Sequence, residues 1–338
     1  MGRFDPRRTV RIDRRRLLTL LGLGVLVVLA LVRLAGGRSA LVTLSAVPPG
    51  AFALMLVVFY AGMAVRVWRW RVFLRSLGHR AGLWPLGQLL LAGYFLNTVV
   101  PARAGDVVRI FLLGRREGVP LEAATGTLVM ERALDVIVIL AGAAAAAYTV
   151  LPGLVPAAVV RVYGAALVAD LLAVVLLVGA PRLEGHLRRL SSGRRYQAGL
   201  RLGLSFLAAM RRMAGDGPEL MLALAQTAAI WTSEVAISGL ALGALGVRLP
   251  AGQLAFMVLT VDLIGAIPLL PGGLGQVETA YLSLALFLGV ARESAAIAIL
   301  LHRAVTFWSV VFVGGAVALL TGTLTRLSQE GGDVMRET

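Results

Sequence analysis

Residues 17–32 read LLTLLGLGVLVVLALV and contain no charged side chain. Uninterrupted apolar segments of similar length recur along the 338-residue chain. A helix of about 20 apolar residues crosses the roughly 30 Å hydrocarbon core of a bilayer. Because that core offers the backbone no water, only helices and closed barrels can span it, and barrel strands alternate apolar with polar residues. The continuous Leu, Val and Ala runs therefore predict an all-α polytopic membrane protein.

The composition supports the same fold class and argues against several functions. Hydrophobic residues make up 58% of the chain and charged residues 15%, whereas soluble domains are about half apolar and a quarter charged. The net charge is +15, and the 33 basic residues are all Arg, concentrated between the apolar runs. This pattern is typical of loops kept in the cytoplasm, and no motif indicates nucleic acid as a partner. With no Cys and three scattered His, we expect no metal and no cofactor.

Six full spans and two re-entrant helical hairpins account for the apolar segments. The N-terminal region 1–16 contains seven Arg and is predicted to be cytoplasmic, as is the tail 326–338. The segment 86–100 runs into a break at 101–105, and the segment 254–290 is interrupted at 271–273. Each is predicted to have both ends on one side of the membrane. Both termini are therefore expected on the cytoplasmic face of the inner membrane. The full spans are predicted at 17–32, 52–67, 121–150, 162–180, 219–245 and 295–321.

The positions of the breaks indicate an inverted repeat. Pro101 precedes Arg132 by 31 residues, and Pro271 precedes Arg303 by 32. The first hairpin is predicted to enter from the cytoplasm and the second from outside, and in inverted-repeat transporters such broken helices meet near the midplane and form a binding site. The predicted organisation is one transmembrane domain, 17–325, with halves 17–180 and 219–325 joined by a cytoplasmic Arg-rich loop, 181–218.

The first group of candidate residues follows the first hairpin. A charge at the bilayer centre costs at least about 2.5–3.5 kcal/mol, so it needs a partner or water. Asp106 is three residues from both Arg103 and Arg109, so one helical turn can bring the three together. Arg supplies forked donors to a lipid phosphate, and a purely structural ion cluster is the alternative. The group consists of Asn97, Arg103, Asp106 and Arg109, with breaks at Pro101 and Gly105.

The second group is Glu131, Arg132 and Asp135. The two carboxylates are four residues apart and share a helix face, where like charges repel. Ionising both beside one Arg is costly, so we expect either a second cation from elsewhere or one protonated carboxyl. A headgroup site and a satisfied interhelical ion network both fit this pattern.

The third group lies at the break of the second hairpin. A helix that begins after a Gly-rich break attracts anions at its N-terminus. The segment lacks the Lys-Ser/Thr pair of a P-loop, so we expect no nucleotide there. Glu278 either contacts a headgroup or caps the helix dipole. The candidate binding residues are Gly272, Gly273 and Glu278, and the breaks are Pro268, Pro271 and Gly275.

His302 and Arg303 form the fourth group, within the last predicted span. His302 either relays protons or is simply hydrogen-bonded to a neighbour. Arg303 lies a third of the way into an apolar helix and needs a carboxylate. The sequence offers Asp170, Glu234, Asp262 and Glu278. No Ser-His-Asp set or nucleotide motif is present, so we do not expect an enzyme.

Taken together, the four groups resemble the flippase-like family known as the lysylphosphatidylglycerol synthase transmembrane region. The resemblance covers roughly residues 15 to 325, although the family often has Tyr where His302 stands. In its bifunctional members an aminoacyl-tRNA-dependent transferase domain follows the membrane region, which moves the modified lipid to the outer leaflet. Because this sequence ends at Thr338, we expect no synthase activity. The resemblance implies lipid translocation.

Three functions remain open at this point. The leading hypothesis is a translocase for a phosphate-bearing headgroup, either a phospholipid or a polyprenyl-linked lipid, in which the Arg residues of both hairpins hold the phosphate. The second is a non-transporting scaffold that partners a separate glycosyl- or aminoacyltransferase. The third is an ion-coupled carrier of a small anion. The expected partners are anionic or phosphate-bearing membrane lipids, together with a second copy of the chain or a partner transferase.

Overall fold

The chain is helical throughout its described part. The computed structural model describes residues 14–100, 103–150, 155–179, 197–267 and 270–322, and no β-strand occurs among them. This confirms the predicted all-α fold class. The α-helices are α1 (Arg14–Leu34), α2 (Arg38–Ser45), α3 (Pro49–Ser76), α4 (Leu83–Val99), α5 (Ala104–Glu117), α6 (Leu121–Val150), α7 (Ala157–Gly179), α8 (Gln197–Gly215), α9 (Gly217–Gly243), α10 (Ala251–Ala266), α11 (Gln276–Phe287), α12 (Arg292–Arg303) and α13 (Ser309–Leu320).

Several of these helices can cross a membrane. Among the described residues, four segments are long and apolar enough: Pro49–Ser76, Ala157–Leu176, Gly217–Gly243 and Arg292–Leu320. A fifth is added if α1 and α2 count as one span, although their axes differ in direction by 98°. The protein is therefore a multi-pass membrane protein. The finer layout of six spans and two re-entrant hairpins stays a prediction.

Two short segments depart from α-helical geometry. Pro271–Gly273 forms a 3₁₀ turn before α11, and Ala304–Trp308 forms a π-helical segment that joins α12 to α13 without a gap. A π segment accommodates an extra residue in a helix and is frequent at functional sites. Both departures therefore single out the region around Arg303.

Contacts divide the chain into two compact units. Unit 1 comprises Met1–Gly62, Gly87–Arg109 and Ser233–Thr338. Unit 2 comprises Met63–Leu86 and Ile110–Thr232. Unit 1 therefore combines segments from both predicted sequence halves, while the predicted domain boundaries themselves stay a prediction.

In unit 1, α12 contacts α1, α2 and α11. Five consecutive residues of α12, Ala295–Ile299, have no exposed surface, so the helix is buried on all sides at this level. Helix α13 approaches α4 closely, because a methyl group on Gly314 would lie 2.7 Å from the carbonyl oxygen of Leu91. Only Gly permits this approach, which holds α13 against α4, the helix that precedes the first break.

In unit 2, the 30-residue helix α6 packs against α7 and α8. At Gly126 an added methyl would lie 3.2 Å from Cβ of Ala209 on α8. Helix α8 falls inside the segment 181–218, where the sequence pattern predicted only a loop. It packs with an apolar face. The buried residues of that face are Leu207, Ala209, Met210 and Met213.

Candidate functional site

Arg303, the last residue of α12, has three internal partners in unit 1. Its Nε donates to Oε1 of Glu278 over 2.6 Å, and its Nη2 donates to the carbonyl oxygen of Gly272 over 2.8 Å. Its guanidinium carbon lies 4.4 Å from the ring centroid of Phe307, one helical turn further on. Asp262 on α10 adds electrostatic attraction. Of the four carboxylates that the sequence offered, Glu278 is the ion-pair partner.

The Gly-rich break positions the two acceptors of Arg303. Gly272, Gly273 and Gly275 all have positive φ angles, between 59° and 79°, which side chains with a Cβ rarely adopt. A methyl group on Gly272 would collide with the ring of Phe307. Glu278 lies in the first turn of α11 and is 4% exposed. Pro268 lies outside the described residues, and Pro271 begins the 3₁₀ turn.

The break between α4 and α5 forms a second polar cluster in unit 1. Asn97 and Asp106 bond reciprocally: Asn97 Nδ2 donates to the Asp106 carboxylate, and the Asp106 N–H donates to Asn97 Oδ1, both over 3.2 Å. Arg109 Nε lies 3.5 Å from the same carboxylate, which is one of the two Arg–Asp contacts that the spacing predicts. Arg103 precedes α5 with a φ of 52°, and Pro101 lies outside the described residues. Gly105 lets α5 approach the backbone of α4 at Gly93.

The two breaks touch each other within unit 1. A methyl group on Gly272 would lie 3.4 Å from Cα of Thr98, one residue before the end of α4. Asn97, which binds Asp106, directly precedes this contact. Gly272, whose carbonyl oxygen accepts from Arg303, therefore lies close to the C-terminal end of α4.

A cavity of about 670 Å³ opens beside the Arg303–Glu278 pair, entirely within unit 1. Arg303 and Glu278 are its charged lining residues. The remaining wall is apolar and comes from α1, α2, the start of α3, α12 and the π segment. It includes Val28, Leu31, Leu41, Phe52, Leu300 and Trp308. One ion pair set in an apolar wall is an amphipathic environment, which suits a ligand that is itself amphipathic.

His302 faces away from solvent beside Tyr281. It is 6% exposed, its Nδ1 lies 3.4 Å from the Thr306 hydroxyl, and its ring centroid is 6.0 Å from that of Tyr281. Within the described part of the chain, His302 Nε2 has no hydrogen-bond partner. The neighbouring Thr306 hydroxyl fits the hypothesis that His302 is hydrogen-bonded to a neighbour.

Glu131, Arg132 and Asp135 belong to unit 2, on α6. The expected second cation is Arg69 of α3, whose Nη1 donates to Asp135 Oδ1 over 2.7 Å. Trp231 Nε1 donates to the same oxygen over 3.2 Å, and Arg132 lies 3.7 Å from the other oxygen. Glu131 and Asp135 are buried, whereas the side chain of Arg132 is 35% exposed. This network fits the structural alternative.

The sequence does not predict that two residues of this network, Arg66 and Arg69, are buried. Arg66 and Arg69 end an apolar run beside Trp68 and Trp70, and this combination of Trp and Arg is typical of a helix end at the membrane surface. In the structure they are 8% and 2% exposed, and Arg66 lies over the ring of Trp231 at 5.4 Å. Their three-residue spacing, which puts both on one helix face, is the sequence feature that could have indicated a shared buried environment. Since Arg132 and Arg303 fall in different units, one pocket containing both stays a prediction.

These observations define the class of protein: a multi-pass α-helical membrane protein with broken helices and ion pairs held among apolar side chains. The chain belongs to the family described as lysylphosphatidylglycerol synthase TM region, whose sequence model matches residues 18–314. This confirms the resemblance carried by the four groups of polar residues.

Relatives of known sequence span most of the chain. A UPF0104 membrane protein of Methanothermobacter thermautotrophicus is 26% identical over 88% of this chain and 93% of its own length. Glycosyltransferase AglD of Haloferax volcanii is 27% identical over 85% of this chain, which spans about half of that protein, 51%. A UPF0104 membrane protein of Methanocaldococcus jannaschii is 24% identical over 65% of the chain. No solved structure matches the chain.

Proposed function

We propose that this protein is a lipid translocase that moves a phosphate-bearing headgroup, of a phospholipid or a polyprenyl-linked lipid, across the inner membrane. The observation that carries the proposal is the cavity of about 670 Å³, apolar on most sides and closed at one wall by Arg303 and Glu278. Its volume falls within the range of about 300–1,000 Å³ that is usual for ligand pockets. A soluble anion would gain nothing from so much apolar wall.

Each part of the cavity has a counterpart in a lipid. The apolar side chains of α1, α2 and the π segment accommodate hydrocarbon chains. The guanidinium of Arg303 supplies the forked donors that bind phosphate oxygens, and the helix that begins at Gln276 adds its N-terminal dipole. A site of this kind lowers the cost of drawing a charged headgroup into hydrocarbon.

The similarity to Glycosyltransferase AglD adds lipid-linked sugars to the headgroups worth testing. We propose transport as the activity of this chain and assign no catalysis to it. The scaffold and small-anion hypotheses remain as outcomes of the test.

The test is a leaflet-accessibility assay in proteoliposomes with fluorescent anionic, aminoacylated and polyprenyl-phosphate lipids. We expect the wild-type protein to expose inner-leaflet probe to an external quencher. Arg303→Lys keeps the charge beside Glu278 but loses the fork, and it should slow exchange at least about fivefold. Arg248→Lys, on an exposed loop of unit 1, is the matched control and should leave the rate unchanged.

The contrary outcomes are distinct. A wild-type protein that flips none of the lipids, yet retains a transferase when purified gently from membranes, would support the scaffold. Accumulation of labelled inorganic phosphate without lipid exchange would support an anion carrier. Equal rates for wild type and Arg303→Lys would remove Arg303 from the headgroup site.

A further inference from the structure

Two of the three guanidinium nitrogens of Arg303 are bound by acceptors from its own chain, and this constrains how a phosphate can reach the Nε edge of the group. Its Nε is bound to Glu278 at 2.6 Å and its Nη2 to the Gly272 carbonyl at 2.8 Å. A headgroup phosphate that takes the forked donors of Nε and Nη2 must therefore displace at least one of these acceptors. The carboxylate is the competitor, because it carries the same charge as the phosphate.

The charge balance of the cavity decides what happens to the displaced carboxylate. At rest, the two charged residues that line the cavity, Arg303 and Glu278, sum to zero. Adding a phosphodiester anion while Glu278 stays ionised leaves one net negative charge among apolar side chains, and an uncompensated buried charge is strongly unfavourable. Protonating Glu278 restores neutrality, since Arg303 then pairs with the phosphate alone.

Glu278 has an oxygen available for that proton. Its Oε1 faces Arg303, whereas its Oε2 is buried and has no hydrogen-bond partner among the described residues. The residue is 4% exposed and also lines the cavity. A carboxylate bound through one oxygen and unsatisfied at the other can accept a proton at the second oxygen without first breaking its ion pair.

We propose that Glu278 is a proton-binding site that exchanges with the lipid phosphate on Arg303, so that each headgroup enters together with one proton. The proton moves from the water on the entry side to Glu278 Oε2 and is released on the other side when the carboxylate returns to Arg303. A monoanionic headgroup and its proton then cross as an electrically neutral pair. The proposal rests on the proposed translocase function and names its coupling ion.

The groups that surround Glu278 are consistent with Glu278 itself being the acid that binds and releases the proton. Among the described residues of the elements packed on α11, the charged or titratable groups are Asp262 on α10 and, on α12, His302 and Arg303 at its C-terminal end and the exposed Arg292 and Glu293 at its N-terminal end. Tyr281 lies one turn along α11 itself. The helices α1 and α2 contribute only apolar residues to the cavity wall. Arg303 is the one group in direct ionic contact with Glu278.

The first experiment measures proton uptake on lipid binding. Purified wild-type protein in lightly buffered detergent receives dioctanoyl-phosphatidylglycerol, and a pH indicator reports the protons taken up. We expect close to one proton per lipid bound, and by linkage the lipid affinity should fall by up to about tenfold per pH unit as pH rises. Glu278→Gln imitates the protonated acid, so it should bind the lipid without proton uptake and with little pH dependence.

Two controls make the result specific. Glu293→Gln, at an exposed carboxyl on α12, should behave as wild type. His302→Gln should also retain proton uptake. Uptake that persists in Glu278→Gln would overturn the proposal, as would tight, pH-independent binding by the wild type. Preferential binding of phosphatidylethanolamine without protons would instead make Glu278 a ligand for the ammonium group and would equally overturn it.

The second experiment separates this proposal from the translocase itself. In proteoliposomes a pH gradient should bias the distribution of phosphatidylglycerol between leaflets for the wild type, whereas the lipid exchange that Glu278→Gln retains should be independent of the gradient. Lipid exchange that ignores the gradient refutes proton coupling and leaves the translocase intact. No lipid exchange under any condition refutes both.

Discussion

Arg69→Met tests whether the buried pair of unit 2 is structural. Arg69 is 2% exposed, so its replacement leaves the carboxylate of Asp135 buried without its 2.7 Å partner. Removing one member of a buried ion pair costs about 3–5 kcal/mol. Trp231 still donates to Asp135 over 3.2 Å and Arg132 remains 3.7 Å away, so we expect the lower end, about 3 kcal/mol.

The assay is thermal unfolding of the purified protein in a single detergent. A loss of about 3 kcal/mol corresponds to a Tm lower by roughly 6–12 °C, at 2–4 °C per kcal/mol. Thr227→Val removes only a hydroxyl that accepts from Arg69 and should cost about 1 kcal/mol. Exposed Arg212→Met is the matched control on α8 and should change nothing.

The double variant Arg69→Met with Asp135→Leu completes the test. Apolar residues replace a buried ion pair at little net cost, so most of the lost stability should return. If Arg69→Met melts with the wild type, or if the double variant is no more stable than the single one, the pair does not stabilise unit 2. The residues on α6 would then be better explained as a ligand site.

Three further outcomes are expected. Gly272→Ala should lower Tm and abolish lipid exchange, because a methyl there meets Phe307 and a φ of 59° costs about 1–3 kcal/mol for a residue with a Cβ; an unchanged exchange rate would contradict the close packing of the break. Val28→Trp should fill the cavity and reduce the lipid that co-purifies, as measured by native mass spectrometry, with Tm unchanged or raised. The chain has no native Cys, so Asp5→Cys and Ser328→Cys each provide a single label. An impermeant maleimide should reach either one only after the cells are permeabilised, and labelling of intact cells would reverse the predicted orientation.

The sequence predicts the fold class and the sites of breakage well, because both depend on local chemistry. Apolar runs demand helices wherever they occur in lipid. The Pro and Gly residues at 271–275 interrupt a helix whatever surrounds them, and the structure places three positive φ angles there. The pairing of Asp106 with Arg109 follows from the sequence, because residues three apart on a helix lie side by side.

Pairings between helices could not be predicted, because they depend on how each helix is rotated and at what depth it lies. The sequence does not distinguish Glu278 from Glu234 as the partner of Arg303, because the choice depends on the packing of α11 beside α12. Arg69 lies in a stretch rich in Trp and Arg, which is typical of the membrane surface, yet its side chain is buried. The helix α8 was not predicted for a related reason, since it belongs to a segment, 182–212, whose eight Arg indicate a loop.

The π segment at 304–308 accommodates one residue more than an ordinary α-helical turn, and one residue of an α-helix corresponds to a rotation of about 100°. The extra residue therefore sets how α12 is rotated relative to α13, which continues it without a gap. In this register Arg303 faces Glu278 and Gly272 while Gly314 packs on Leu91 of α4. Removing one residue from the segment would turn either Arg303 away from its acceptors or Gly314 away from α4.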